Sequence, residues 1–233
     1  MTHSPSRAGR QVRAVLVDID GTLLDSNDAH ARSWMAVLKD HGHAFPFERV
    51  RPLIGMGGDK LLADLLGDSI DSSLIERWGD ERGRVFRATE LHHLKPTRGA
   101  RDLLERLQAD GLSIVVATSA QSEETAALLK QAGLDDLVDD GADSGDADES
   151  KPDPDIVQAA LLKAGLRPSE AVMLGDTPYD IAAAAKAGVP AIALRCGGWW
   201  NDDAFSGAVA VHDDPADLLK SCVETPLSQR PWA

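Results

Sequence analysis

Cysteine is scarce in this chain: Cys196 and Cys222 are the only two among 233 residues, with no CxxC and no Cys/His spacing. That argues against a disulfide scaffold and suits two structural thiols in a reducing compartment. No apolar run approaches the ~20 residues of a membrane span. The opening MTHSPSRAGRQVR is polar and basic, with no apolar stretch before Val12, so no secretory signal is visible and the cytoplasm is the expected compartment. Positive charge is also short: 24 Lys and Arg stand against 38 Asp and Glu, a formal net charge of -14. A chain of that sign is a poor partner for nucleic acid or an anionic membrane surface. A small anionic substrate stays open, because local charge in a cleft can oppose the global sign. A monomer is expected.

What is present is ordinary globular composition, 43% hydrophobic and 27% charged. Short apolar runs recur at Val12–Ile19, Leu112–Ala117, Ala171–Leu174, Val189–Leu194 and Ala208–Val211. Helical patterning fills most of the gaps, at Arg98–Ala109, Glu123–Ala132, Asp155–Ala164 and Ile181–Ala187. Strands apolar on both faces that alternate with helices predict an α/β fold, a Rossmann-like parallel sheet covered on both sides. Between about Asp28 and Leu94 the alternation stops. The patterning there is helical (Ala29–Lys39, Lys60–Leu66, Leu74–Thr89), which predicts a helical cap inserted after the first strand. The expected division is 1–24 and 96–233 for the core and 25–95 for the cap. The acidic stretch DDGADSGDADESKPDP reads as a solvated surface loop, apart from Lys151 and Pro152.

Parallel sheets place ligands beyond the carboxyl ends of their strands. The first run ends in Asp18-Ile19-Asp20-Gly21-Thr22, the next core run in Thr118 and Ser119, and another in Gly175 and Asp176, with Lys151 in a loop leading toward that strand. Each ending alone could be a helix cap or a turn; together they suit phosphoryl transfer. A carboxylate nucleophile can form an aspartyl-phosphate, splitting one difficult displacement into two. Bringing an anion onto an anion calls for Mg²⁺, with hard oxygen ligands. Asp18 and Asp176 would supply carboxylates and Asp20 a backbone carbonyl. Thr118 and Lys151 are the right types to hold phosphoryl oxygens. Asp20, two residues past the nucleophile, is placed to act as general acid.

The ordered motifs DIDGTLLDS (18–26), VVATS (115–119), KPDP (151–154) and GDTPYDIAAAAKAG (175–188) resemble those of the haloacid dehalogenase superfamily, over nearly the whole chain. The resemblance is to the branch with a helical cap after strand one, which includes phosphoglycolate-phosphatase-like and β-phosphoglucomutase-like proteins. It implies Asp18 as nucleophile, Asp20 as general acid/base, Thr118 on the phosphoryl group, Lys151 neutralising charge, and Asp176 on Mg²⁺. It further implies that Asp180 orients Lys151 or a metal-bound water, and that the Ser119 backbone contributes. The expected function is a Mg²⁺-dependent phosphatase of a small phosphorylated metabolite, with a phosphomutase as the alternative. Asp20 argues against the dehalogenating members, which carry an aromatic residue at that position. The phosphonate-cleaving members use a cap lysine, and Lys60 in IGMGGDKLL is a cap lysine, read here as a substrate contact or a surface residue. A non-catalytic binder would not need nucleophile, acid, lysine and metal carboxylate together. Gly55, Gly57 and Gly58 predict a backbone that approaches something closely or bends. Trp199 and Trp200 could line the cleft or simply pack, and His92 and His93 read as solvated.

Overall fold

The computed structural model describes residues 12–67, 70–221 and 227. Its elements run β1 (Ala14–Val17), α1 (Asn27–Asp40), α2 (Phe47–Val50), α3 (Gly58–Leu66), α4 (Ser72–Thr89), α5 (Ala100–Ala109), β2 (Ser113–Ala117), α6 (Ser122–Ala132), β3 (Asp139–Ala142), α7 (Asp155–Ala164), β4 (Ala171–Gly175), α8 (Pro178–Lys186), β5 (Ala191–Leu194), β6 (Ala210–His212) and α9 (Pro215–Ser221). The six strands form one parallel sheet in the order β3-β2-β1-β4-β5-β6. The chain winds outward from β1 to β3, then crosses to β4 on the other side of β1. The carboxyl ends of β1 and β4 therefore flank the point where the winding reverses, the usual place for a ligand crevice.

Alternation along each strand builds two cores. Val15 and Val17 of β1 face one layer with Ile114, Val116, Val172 and Leu174, packed against α5, α6 and α9. Ala14 and Leu16 face the other with Val115, Ala117 and Met173, packed against α7 and α8. Each fully buried leucine or isoleucine contributes roughly 1.5–3 kcal/mol, so the sheet is a rigid platform for whatever its ends carry.

The region expected to be helical holds α1 to α4 and, among the described residues, no strand. It has its own core of Trp34, Val37, Leu38, Val50, Leu61, Leu62 and Trp78. The chain enters and leaves it side by side, with Asp25 N–H donating to Lys95 O and Thr97 N–H to Leu23 O. No helix among the described residues is long and apolar enough to cross a membrane.

One expectation needs correcting. The stretch read as a solvated surface loop, apart from Lys151 and Pro152, begins with a strand, β3, formed by Asp139–Ala142. Its composition is poor for a strand, but β3 is an edge, where pairing with β2 overrides propensity. Ile114 N–H donates to the Asp139 carboxylate, and Gly141 lies so close to the Val116 backbone that a side chain would collide with it. The remainder, from Asp143 onward, is loop with one short 3₁₀ turn at Ser144–Asp146.

Candidate active site

Asp18 follows β1 directly and Asp176 follows β4, so strand register alone sets the two carboxylates side by side. One carboxylate oxygen from each of Asp18, Asp176 and Asp180 lies within 4.8 Å of the other two, and all three residues are buried. Asp180 arrives from the first turn of α8. Thr177 and Asp180 cap that helix reciprocally: the Thr177 side chain accepts from the Asp180 N–H, and the Thr177 N–H and hydroxyl donate to Asp180 Oδ2. The capping box leaves Asp180 Oδ1 for Lys151, whose ammonium donates to it at 2.7 Å and to Asp18 Oδ1 at 2.6 Å. A buried lysine is tolerable only when paired in this way. The two carboxylates hold its pKa above the usual lysine range against the opposing effect of burial.

Three buried carboxylates share one ammonium, which leaves the cluster two charges negative. Burial first, and that excess second, set the pKa directions. Burial pushes Asp18 well above its usual range, and Asp180, Asp176 and Asp20 add to this against the pull of Lys151. Burial, then Asp180, pushes Asp176 up to about 7. Asp176 is nonetheless held in a defined pose, accepting from Thr22 Oγ1 at 3.0 Å and from Asn27 Nδ2 at 2.7 Å. Gly21, at φ +74°, passes so close that a side chain there would overlap Asn27 and Asp176. Charge excess, oxygen-only donors and fixed orientation together fit a divalent cation.

Asp20 is turned away from this cluster. Its Oδ1 accepts from Ser26 Oγ at 2.5 Å and from His30 Nε2 at 2.7 Å. Arg82 can only donate, so its 3.1 Å contact makes His30 Nδ1 the acceptor and leaves the ring proton on Nε2, toward Asp20. Burial raises the Asp20 carboxyl, but His30, Ser26 and Arg82 outweigh it and hold it below the ordinary 3.8. Arg82 in turn donates to the buried Glu124 at 2.7 Å.

A cavity of about 70 Å³ is lined by Asp18, Asp20, His30, Thr118 and Ser119 among others. The expected residues from the ends of β1 and β2 therefore converge. Thr118 is buried, with its hydroxyl oxygen accepting from Ala120 N–H. The Ser119 hydroxyl is buried without a partner. Lys60 is placed differently from its reading as a substrate contact. Its ammonium donates to Ser150 O and to Asp153 Oδ2, both at 2.5 Å, so in this structure it ties α3 to the loop that carries Lys151.

The glycine-rich turn before α3 does approach something closely. Gly55, at φ +108°, packs on Thr177, and Gly57 lies against Ser150. Trp199 packs on Phe47 and on the Arg51 guanidinium and so serves the contact between helices α1–α4 and the sheet, whereas Trp200 packs on Tyr179 of α8 within the sheet layers. His92 and His93 are exposed. The Cys196 thiol donates to Gly21 O, and burial, then Asp176, pushes its pKa up. Cys222 lies outside the described residues.

His30, Asn27, Thr22, Arg82 and Glu124 were not read as site residues. Ser26, Asn27 and His30 open an amphipathic helix with polar groups at positions that the structure buries. That was the available signal. For Arg82 and Glu124 there was none, since charged residues within helices are usually solvated.

Residues 12–188 match the haloacid dehalogenase-like hydrolase family. The chain is 31% identical over 195 residues to a phosphoglycolate phosphatase from Aliivibrio fischeri, covering 80% of this chain and 85% of that one. It is 30% identical over 183 residues to the pyrophosphatase PpaX of Bacillus velezensis, covering 77% and 81%. Among solved structures, a hydrolase from Pseudomonas syringae superposes with a TM-score of 0.84 at 29% identity, covering 91% of this chain and 98% of that chain.

Proposed function

The chain belongs to the haloacid dehalogenase-like hydrolase family, and from that premise we propose that it is a Mg²⁺-dependent phosphatase of a small phosphorylated metabolite, working through an aspartyl-phosphate on Asp18. That it is an enzyme hydrolysing phosphate esters follows from the family and its relatives. The observation that carries the finer reading is the Asp18–Lys151–Asp180 arrangement beside Asp176, at the reversal point of the sheet.

In this reading Asp18 attacks phosphorus and the ester oxygen departs. Lys151 offsets charge on the attacking carboxylate, while Asp180 keeps the ammonium in place. Thr118 and Ser119 donate to phosphoryl oxygens. Asp20, anchored through Oδ1, uses Oδ2 to give a proton to the leaving oxygen and later to take one from the water that hydrolyses the intermediate. His30 and Ser26 fix its orientation. The Asp18 and Asp176 carboxylates and the Asp20 main-chain carbonyl would hold Mg²⁺, which when bound screens the approach of carboxylate to phosphoryl group.

Residues 25–95 act as a cap over a core of 1–24 and 96–233. The paired linkers at Asp25–Lys95 and Leu23–Thr97 are the hinge, and closure shields the intermediate from side reactions. The protein works in the cytoplasm as a monomer. The names of the relatives make phosphoglycolate and pyrophosphate the first substrates to assay. Hydrolysis of p-nitrophenyl phosphate with Mg²⁺, its loss in excess chelator and its loss in Asp18→Asn are the expected results. Metal-independent turnover, or an active Asp18→Asn, would refute the reading.

A further inference from the structure

An ester with its phosphoryl group at Asp18 must place its leaving group in the neighbouring cavity of about 330 Å³, which shares Trp34, Gly58, Arg82 and Ser119 with the smaller one. That volume lies within the range of sites that enclose a small organic molecule.

The charge of this cavity is one-sided. Asp59, Glu76, Asp148 and Glu149 line it, and among its described lining residues Arg82 is the sole cation. Arg82 is already neutralised by Glu124. Lys60, next to Asp59, is held closely by Asp153 and Ser150 O, and its longer 3.8 Å pairing with Glu149 offsets only part of that one acid's charge. The rest of the wall is apolar (Trp34, Ile75, Ile156) or carries neutral hydrogen-bonding groups such as Gln121 and Ser144. Two buried polar atoms on the shared wall, Ser119 Oγ and Arg82 Nε, have no partner. A flat ring, an aliphatic side and scattered neutral donors and acceptors complement a hydroxylated carbon skeleton. A leaving group with its own carboxylate or second phosphoryl group would meet uncompensated negative charge. An ammonium would be attracted.

Resting on the phosphatase reading, we propose that the substrate is the phosphate monoester of a neutral or amine-bearing polyol of roughly hexose size. The acidic wall disfavours anionic leaving groups, including glycolate and the second phosphate of pyrophosphate. The cavity thus argues for a substrate unlike the phosphoglycolate and pyrophosphate named for the two relatives described above.

The test compares kcat/KM for glucose 6-phosphate, glucosamine 6-phosphate, phosphoglycolate and pyrophosphate. Both sugar esters should exceed both anionic substrates by roughly tenfold or more, the sum expected of several partly exposed charge pairs. The double variant Glu76→Gln/Glu149→Gln should narrow that ratio. Phosphoglycolate or pyrophosphate matching the sugars, or a ratio the double variant leaves unchanged, overturns the proposal. Calorimetric Kd values for glucosamine 6-phosphate and phosphoglycolate in chelator separate this result from the phosphatase reading. If no ester turns over, that reading falls. Tighter glucosamine 6-phosphate binding still upholds the cavity's preference, and tighter phosphoglycolate binding overturns it.

Discussion

His30 Nε2 lies 2.7 Å from Asp20 Oδ1, ten residues away in sequence, and both line the cavity that Asp18 lines. The imidazole fixes one Asp20 oxygen and helps hold the carboxyl below its ordinary 3.8. In His30→Ala the Asp20 pKa should move upward, and the basic limb of the kcat/KM profile, which reports the proton Asp20 gives to the leaving oxygen, should move up with it. The carboxyl also loses its orientation, so turnover should fall by on the order of tenfold, a fraction of what general acid–base catalysis supplies. An unchanged pH profile would detach His30 from Asp20 chemistry.

Asp18→Asn should abolish turnover while preserving the fold. The change keeps the side chain's size and removes one charge from a cluster that is two charges negative, so metal-free stability should hold or rise. Activity on p-nitrophenyl phosphate and a thermal melt by circular dichroism check both halves.

Lys151→Met should cost stability as well as activity. It leaves Asp18 and Asp180 buried beside each other without their cation, and breaking a buried pair costs about 3–5 kcal/mol. Urea unfolding measures this. Added Mg²⁺ should restore part of the loss, because it brings positive charge back to the same carboxylates.

Asp176, raised from 3.8 to about 7, sets a pH dependence. A carboxyl whose folded pKa is raised favours the fold when protonated. That contribution is complete below 3.8 and is lost as pH rises through about 7. Metal-free protein should therefore lose stability from this group across that window. Mg²⁺ needs the ionised form and competes with the proton, so its affinity should fall by up to about tenfold per pH unit below neutrality. The Tm gain from a fixed Mg²⁺ concentration should grow between about pH 5 and about pH 8. A gain that stays flat removes Asp176 from the metal site.

Lys60→Ala should change stability by less than about 1 kcal/mol, since its ion pair with Asp153 is partly exposed. Its effect should fall on kcat/KM for large substrates more than for a small phosphate ester, because it ties α3 to the Lys151 loop over the larger cavity. Equal losses on both would remove the tie from the specificity account.

The sheet was legible because a strand buried on both faces must be apolar throughout, as β1, β4 and β5 are and β2 is from Ile114 onward, while the partly buried edge β6 still falls on a short apolar run. β3 does not: DDGA pairs only at an edge, where β2 supplies what its composition lacks. Asp18, Asp20, Thr118, Lys151 and Asp176 were legible because each is a polar residue in or beside an apolar or loop setting where strand ends must meet. His30 and Arg82 were hidden. Their role depends on how α1 and α4 seat over Asp20, and helical periodicity records burial but not the neighbour.

By itself, then, the sequence determined the parallel sheet, the helical insertion and the carboxylates at the strand ends, because local periodicity and chain order suffice to place them. Only the tertiary structure decided which oxygen of Asp20 is anchored, that Lys60 turns to Ser150 and Asp153, and that Asp59, Glu76, Asp148 and Glu149 line one wall. Those four acids come from three segments of chain, around Asp59, Glu76 and Asp148–Glu149, and their shared field exists only once the insertion is docked on the sheet.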